Sequence, residues 1–127
     1  MSELERLDYL DVDDLLHIAA IVIGDVRVRD LGLLASAAAR PRTLVLGAPA
    51  YSTLAEKAAA LLHSLARNRA LLDGNKRLAW SAMRMFCFLN NADVAYDIDD
   101  AEGMVVGAAA GTVDVPQIAT WITDRLV

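Results

Sequence analysis

The chain has 127 residues, a length that suits one domain with its own core. Its 12 basic residues stand against 17 acidic residues, and the net charge of −5 argues against general nucleic-acid binding. Hydrophobic residues make up 56% of the chain, which excludes extensive disorder. They form no run long enough to span a bilayer, which excludes a transmembrane helix. The acidic N-terminus lacks the apolar segment of a signal peptide, so we expect a cytoplasmic protein without a membrane partner.

The first third of the chain predicts two helices. Asp residues suit the start of a helix over residues 11–23, and Gly24 suits its end. A second helix is predicted over residues 30–40, where Pro41 stops it. The apolar face of the first helix comprises Leu15, Ile18, Ala19, Val22 and Ile23.

A short segment after Pro41 has a different pattern. It is partly β-branched and bounded by Pro and Gly, which predicts an extended segment or a small hairpin. Its residues are Thr43, Leu44, Val45, Leu46 and Gly47. Residues 48–50 are predicted as loop.

Two long helices are predicted in the middle of the chain. A capping-box pair, Thr53 and Glu56, begins the first, which reaches residues 66–69. After a loop over residues 70–72, the second runs over residues 74–89. Such a short connection predicts antiparallel neighbours. The inward residues are predicted to be Leu54, Ala58, Leu61, Leu62 and Leu65 in the first helix, and Leu78, Ala79, Ala82, Met83, Phe86 and Leu89 in the second.

The remainder predicts a brief extended piece at residues 94–96, a helix over residues 99–110 and a last helix opened by residues 114–116. The inward residues of the last helix are Ile118, Ala119, Ile122 and Leu126. We interpret Cys87 as a buried structural thiol, and His17 and His63 as structural residues. Together these elements predict a single all-α domain over residues 1–127.

The pentad Asp73-Gly74-Asn75-Lys76-Arg77 stands directly before an apolar-periodic run. The N-terminus of a helix offers unpaired N–H groups to phosphate, and a Gly lets the backbone approach the ligand. Asn75 can donate hydrogen bonds, and the two cations can donate charge-assisted ones. Asp73 could cap the helix or hold Mg²⁺ on the phosphates. The alternative is an ordinary Asp-Gly turn followed by solvated side chains.

The local charge balance favours an anion site. Five cations lie between residues 67 and 84 against one acid, Asp73, although the chain as a whole is acidic. One of these cations, Arg69, lies just upstream of the pentad. The pentad and Arg69 therefore contain the parts of a nucleoside triphosphate site.

Residues 63–77, HSLARNRALLDGNKR, resemble the core motif of the Fic/Doc family, His-x-Phe-x-Asp/Glu-Gly/Ala-Asn-Lys/Gly-Arg. Residues 28–34 and 39–41 agree as well, and the resemblance covers roughly residues 7–126. It implies the all-helical family fold with a short extended flap. Within the family the chain is similar to the death-on-curing (Doc) toxins of type II toxin–antitoxin systems.

Two positions depart from the motif. Leu71 replaces the Phe, in a packing role, and Arg69 replaces the His. In the family that His is the general base that activates the target hydroxyl. Arg stays protonated in proteins and cannot take that role, although it can still bind a phosphate. Three explanations remain open: an inactivating substitution, a naturally degenerate non-catalytic member, or an active site that uses another base.

The resemblance also implies a type of chemistry. Members that transfer AMP have a second Gly after the motif Asn and usually a further Arg three residues past the motif Arg. This chain has Lys76 and Trp80 at these two positions, as Doc toxins do. It therefore implies a kinase that transfers the γ-phosphoryl of ATP to a threonine of elongation factor Tu and blocks translation. The alternatives are an AMP transferase and a non-catalytic domain that binds antitoxin or nucleotide. Trp80 itself is expected to be a packing residue.

The site roles follow from the same resemblance. Asp73 would hold Mg²⁺, Gly74 and Asn75 would cradle phosphate oxygens, and Lys76 and Arg77 would neutralise developing charge. Residues 43–47 match the family's flap, which can align a protein substrate by strand addition; the alternative is a plain connecting loop. A Phd-like antitoxin would fold its C-terminal segment into a groove beside the active site. No direct nucleic-acid partner is expected.

Overall fold

The computed structural model describes residues 6–127. Within this range the chain forms six α-helices, a 3₁₀ turn at Arg40–Arg42 and a two-stranded antiparallel hairpin. The helices are α1 (Val12–Val22), α2 (Leu31–Ala39), α3 (Leu54–Asn68), α4 (Asn75–Leu89), α5 (Ile98–Ala110) and α6 (Val115–Thr123), and the strands are β1 (Leu44–Val45) and β2 (Ala48–Pro49). The first five residues, which belong to the N-terminus considered above for a signal peptide, lie outside the described range.

Side-chain caps explain where several helices begin. Asp11, Asp30, Thr53 and Asp97 each accept a hydrogen bond from the backbone N–H three residues later. These bonds satisfy N–H groups that have no partner within the helix. The predicted helices are confirmed with their ends shifted by one or two residues, because the capping residue itself lies just outside the helix.

Helix α3 is the centre of the fold. It packs against α4, α5, α6 and α2, and most of its residues are buried. Ala58, Ala59 and Ala60 are completely buried, and small side chains of this kind let neighbouring helices approach closely. The pair α3 and α4 is the most extensive helix contact, so the predicted helical hairpin is confirmed.

Three predictions were wrong. Leu126 was expected on the inward face of the last helix, but α6 ends at Thr123 and Leu126 forms an extended bridge beyond it. Leu89 was expected to face inward but is 42% exposed, because it is the final residue of α4 and lies at the edge of the face that Phe86 and Cys87 bury in the same turn. Residues 48–50 were expected to be loop, but Ala48 and Pro49 form β2 and pair with β1. The turn between the strands places Leu46 at φ 51° and Gly47 at φ 83°. Two positive φ values match the twist of the flanking strands, so the extended segment becomes a hairpin.

The C-terminus closes the fold with backbone contacts. Val94 forms a bridge with Leu126, and Asp93 exchanges two backbone hydrogen bonds with Val127. These contacts confirm the brief extended piece predicted at residues 94–96. Among residues 6–127, no helix has both the length and the apolar character needed to cross a bilayer.

Candidate functional site

The loop between α3 and α4 begins and ends with left-handed residues. Arg69 caps α3 at φ 54° and ψ 52°, and Gly74 precedes α4 at φ 85°. A left-handed residue after a helix is a common way to end it, although a Gly usually stands there. The two positive φ values turn the chain sharply and bring the residues of the motif together.

The backbone of residues 27–30 holds this loop from one side. Leu72 N donates to Arg27 O at 2.9 Å, and Val28 forms an antiparallel bridge with Leu71. Arg29 N and Asp30 N both donate to Ala70 O, at 2.8 and 3.0 Å. The motif loop is therefore paired with a distant segment of the chain.

Asn75 holds the same loop from the other side. Its Oδ1 accepts from Leu71 N at 3.0 Å, and its Nδ2 donates to Leu71 O at 2.9 Å. The side-chain amide carries two N–H groups, so one of them stays available to a ligand. The structure thus gives Asn75 a bracing function that the sequence analysis did not anticipate.

Asp73 and Gly74 shape the start of α4. Asp73 Oδ1 accepts from Gly74 N at 2.8 Å, but the N-cap is Gly74 and no side chain caps the helix within the described residues. Asp73 is therefore not the capping residue. The first N–H groups of α4 have no intrahelical partner, as at any helix start, and suit an anion. The Gly at residue 74 is also required by its close contact with Ile23.

A pocket of about 720 Å³ opens at this loop and is termed the anion pocket. The six residues predicted to form the nucleoside triphosphate site all line it: Arg69, Asp73, Gly74, Asn75, Lys76 and Arg77. Arg29 also lines it, so the lining contains four cationic residues and one carboxylate. This charge distribution suits a polyanion such as a nucleoside triphosphate.

Asp73 supplies that single carboxylate, and residues 6–127 contain no group of three or more His, Cys, Asp or Glu arranged to hold a metal ion. Magnesium commonly takes one or two protein carboxylates and completes its shell with phosphate oxygens and water. A carboxylate beside a cationic pocket therefore fits a Mg²⁺ ion that arrives on a nucleotide.

Arg29 was not recognised as a site residue from the sequence. Its Nε donates to Arg69 O at 2.7 Å and its Nη2 donates to Asn68 O at 3.0 Å. Because about forty residues separate the partners, no spacing rule links them. The nearest sequence signal is the position of Arg29 beside Asp30, which caps α2.

Other predicted residues lie outside the anion pocket. No residue of the hairpin segment 43–47 lines it in the part of the chain described here. His63 is partly buried, with Arg40 Nη1 donating to its Nδ1 at 2.9 Å and Asp114 Oδ1 3.5 Å from its Nε2. His63 lies on α3, and its two contacts link this helix to the end of α2 and to the start of α6. It therefore has the structural role expected of it. His17 was also predicted to be structural, but it is exposed on α1, so the structure does not support that role.

A second cavity, of about 480 Å³, lies between α4 and α5 and is termed the α4–α5 groove. Its lining includes Trp80, Tyr96 and Val106, and it shares Lys76 and Arg77 with the anion pocket. The ring of Trp80 packs edge-to-face against Tyr96, with centroids 4.8 Å apart, and against Trp121, at 6.0 Å. Trp80 therefore has the packing role predicted for it.

Comparison with known proteins accounts for these features. The model of the Fic/DOC family matches residues 9–87, which include the whole loop between α3 and α4. Toxin Doc of Mycolicibacterium smegmatis (strain ATCC 700084 / mc(2)155) is 47% identical over 115 residues, 88% of this chain and 88% of that protein. The resemblance inferred from the motif and the all-α fold are thus both confirmed. The chain belongs to the Fic/Doc family.

Proposed function

We propose that the chain is the toxin of a type II toxin–antitoxin pair, built as a protein kinase whose transfer step is disabled by Arg69. By resemblance, its reaction would move the γ-phosphoryl of ATP to a threonine of elongation factor Tu and block translation. Its 47% identity to Toxin Doc supports the toxin function. The observation that carries the proposal is the anion pocket, where the motif residues converge on the start of α4.

The charges of that pocket support nucleotide binding. Lys76 and Arg77 lie in the first turn of α4, where they can donate to phosphate oxygens beside the helix amides. The Asp73 carboxylate can hold Mg²⁺ on the same phosphates. Phosphoryl transfer depends mostly on positioning and on neutralising charge, so these residues supply much of what a kinase needs.

The transfer itself needs a proton acceptor at position 69. As the threonine oxygen forms its bond to the γ-phosphorus, the bond to the bridging oxygen breaks and ADP leaves with that electron pair. The hydroxyl proton must pass to a base, and a neutral imidazole can accept it near neutral pH. The Arg69 guanidinium is always protonated and cannot. The chain should therefore bind Mg·ATP without transferring phosphate.

The decisive experiment compares Arg69→His with Arg69→Gln. Both variants remove the guanidinium, but only the His variant supplies a base. Each is expressed under tight repression, and the purified proteins are incubated with elongation factor Tu and ATP labelled at the α or γ phosphate. We expect the His variant alone to stop growth and to transfer the γ label.

Other outcomes would replace the proposal. Transfer of the α label would identify an AMP transferase. Equal transfer by both variants would mean that residue 69 is not the base. If the His variant binds Mg·ATP but transfers neither label and is harmless, a non-catalytic domain that binds nucleotide or antitoxin becomes the better interpretation.

The antitoxin surface that we propose is the α4–α5 groove. Ile98 is 72% exposed and Val106 46% exposed, so the groove presents apolar side chains to solvent. Its lining contains two cations, Lys76 and Arg77, next to the anion pocket, and one acid, Glu102. An amphipathic antitoxin segment with acidic residues would match both features and would compete with ATP for the same cations.

Substitution of the exposed apolar residues tests this surface. Ile98→Glu and Val106→Glu should each weaken co-purification with a candidate antitoxin at least tenfold, because each buries a carboxylate in the interface. Ile21→Glu is the matched control: Ile21 is 84% exposed on α1, which does not line the groove. Equal loss in all three variants, or loss in none, would exclude the groove as the antitoxin surface.

A further inference from the structure

We infer that Arg29 is a positioning residue. It fixes the backbone at position 69 and so sets the direction in which the side chain at the motif His position points. The kinetic part of this inference depends on the proposed kinase function, and its structural part does not. Arg29 reaches the end of α3 with two nitrogens, Nε to Arg69 O at 2.7 Å and Nη2 to Asn68 O at 3.0 Å. Its own backbone N–H donates to the next carbonyl, Ala70 O, at 2.8 Å.

One residue thus holds three consecutive carbonyls at a helix C-terminus. The last carbonyls of a helix have no partner within it, and the negative end of the helix dipole attracts a cation. A guanidinium is a planar fork that can satisfy two oxygens at once. The geometry matches a clamp on the C-terminus of α3 rather than an incidental surface contact.

The clamp matters because Arg69 has a left-handed backbone, at φ 54°. A residue with a Cβ occupies this conformation only when surrounding contacts favour it. The direction of the Cα–Cβ bond follows from φ and ψ, so the clamp decides where the side chain of residue 69 enters the anion pocket. Asn75 fixes the next residue, Leu71, which makes the loop rigid on both sides of Ala70.

An alternative role follows from the position of Arg29 on the pocket lining. Two of its five N–H groups are used in the clamp, and the others could donate directly to a phosphate. A Lys at position 29 distinguishes the two roles, because it could serve as a phosphate contact but not as a clamp. Lys retains the charge needed for a phosphate contact, but it cannot form the planar fork to two carbonyls.

Hydrogen exchange on the chain that carries Arg69 tests the clamp without any catalysis. We expect Arg29→Lys and Arg29→Gln to raise the exchange rates of the Leu71 and Leu72 amides about tenfold or more, because the loop loses a fixed end. Arg27→Lys is the matched control. Arg27 is in the same segment, but its side chain pairs with the nearby Asp25 at 3.0 Å rather than with the loop. Unchanged exchange in both Arg29 variants would overturn the inference.

Kinetics in the Arg69→His background test the positioning role. Arg29→Lys should lower kcat by about 10- to 100-fold with the KM for ATP unchanged, since misplacing a reacting group slows the step without removing binding. A Lys variant that keeps full kcat, paired with a Gln variant that raises KM, would overturn positioning in favour of a phosphate contact. If Arg69→His transfers nothing, the proposed kinase fails, and the exchange rates still decide whether the clamp exists.

Discussion

Gly74 lies directly against Ile23, the C-cap residue that follows α1. A Cβ added to Gly74 would lie 2.4 Å from Ile23 Cδ1 and 2.7 Å from Ile23 Cγ1, closer than real carbon atoms pack. Gly74 also has φ 85°, a backbone conformation that disfavours a side chain. The motif Gly therefore serves the packing of α4 on α1 as well as any approach of a ligand.

Gly74→Ala should destabilise the protein through both effects. Overpacking typically costs roughly 1–3 kcal/mol, and strain at a positive φ adds to it. The free energy of unfolding from urea titration measures the sum. Replacing Ile23 with Ala in the same chain should recover part of the loss, because the two residues are in contact.

Gly24→Ala separates the two effects. Gly24 has φ 93°, but a Cβ there would meet no atom within 4 Å, so this variant reports backbone strain alone. Gly74→Ala is expected to cost more than Gly24→Ala by the energy of the contact with Ile23. Equal costs would show that the contact relaxes freely and that only the backbone conformation requires a Gly.

Asn75 should be as important for the loop as for any ligand. Asn75→Ala removes both hydrogen bonds to Leu71, and Asn75→Asp removes the donated one and faces a carboxylate toward Leu71 O. Each should lower the free energy of unfolding by roughly 1–3 kcal/mol, and the Asp variant should also weaken Mg·ATP binding by adding negative charge to the pocket. Thermal unfolding and calorimetric titration with Mg·ATP measure the two effects. A Leu71 amide that exchanges at the parent rate in Asn75→Ala would contradict the bracing role.

The helices could be predicted because their signals are local. Thr53 accepts the expected cap bond from Glu56 N, whereas the Glu56 carboxylate accepts from Ser52 N instead of completing the box with Thr53 N. The buried faces of α3 and α4 follow the helical period. The hairpin was less predictable, because its turn requires Leu46 to adopt a positive φ that its residue type does not favour. Propensity therefore identified the segment but not the second strand.

The candidate site was predictable in composition but not in geometry. The cations and the carboxylate of the motif are adjacent in sequence, and the anion pocket does gather them. The contacts that hold them are long-range: the carbonyls at the end of α3 meet Arg29 from about forty residues away, and Gly74 meets Ile23. Such pairs depend on how α1 and α2 pack beside the hairpin of α3 and α4, which no local pattern specifies.

Cys87 is expected to be chemically inert in the folded protein. Burial raises the pKa of its thiol to about 11, with a smaller contribution from Asp93, so almost no thiolate exists at pH 8. Iodoacetamide at that pH should leave the native protein unmodified and add one group after unfolding in guanidinium, as mass spectrometry would show. Ser36→Cys, on the exposed side of α2, is the matched control and should react once while folded. Rapid modification of the native parent chain would mean that the core around Cys87 opens readily.

His63 should make the folded state sensitive to mild acid. Burial and the adjacent Arg40 guanidinium lower its pKa below the ordinary 6.5, and Asp114 opposes them. Arg40 Nη1 donates to Nδ1, which requires that nitrogen to be unprotonated. The unfolded chain therefore binds a proton at a higher pH than the folded chain does, so stability falls as the pH drops below about 6.5 and levels off below the folded pKa.

Three variants test that sign in urea unfolding measured between pH 8 and pH 4. His63→Gln should lack this loss of stability, and Asp114→Asn should extend it to lower pH, because removing the opposing carboxylate lowers the folded pKa further. His17→Gln replaces the exposed histidine of α1 and should retain the loss that depends on His63. If His63→Gln loses stability with falling pH as steeply as the parent does, other groups control the acid sensitivity, and the contact with Arg40 survives protonation of the ring.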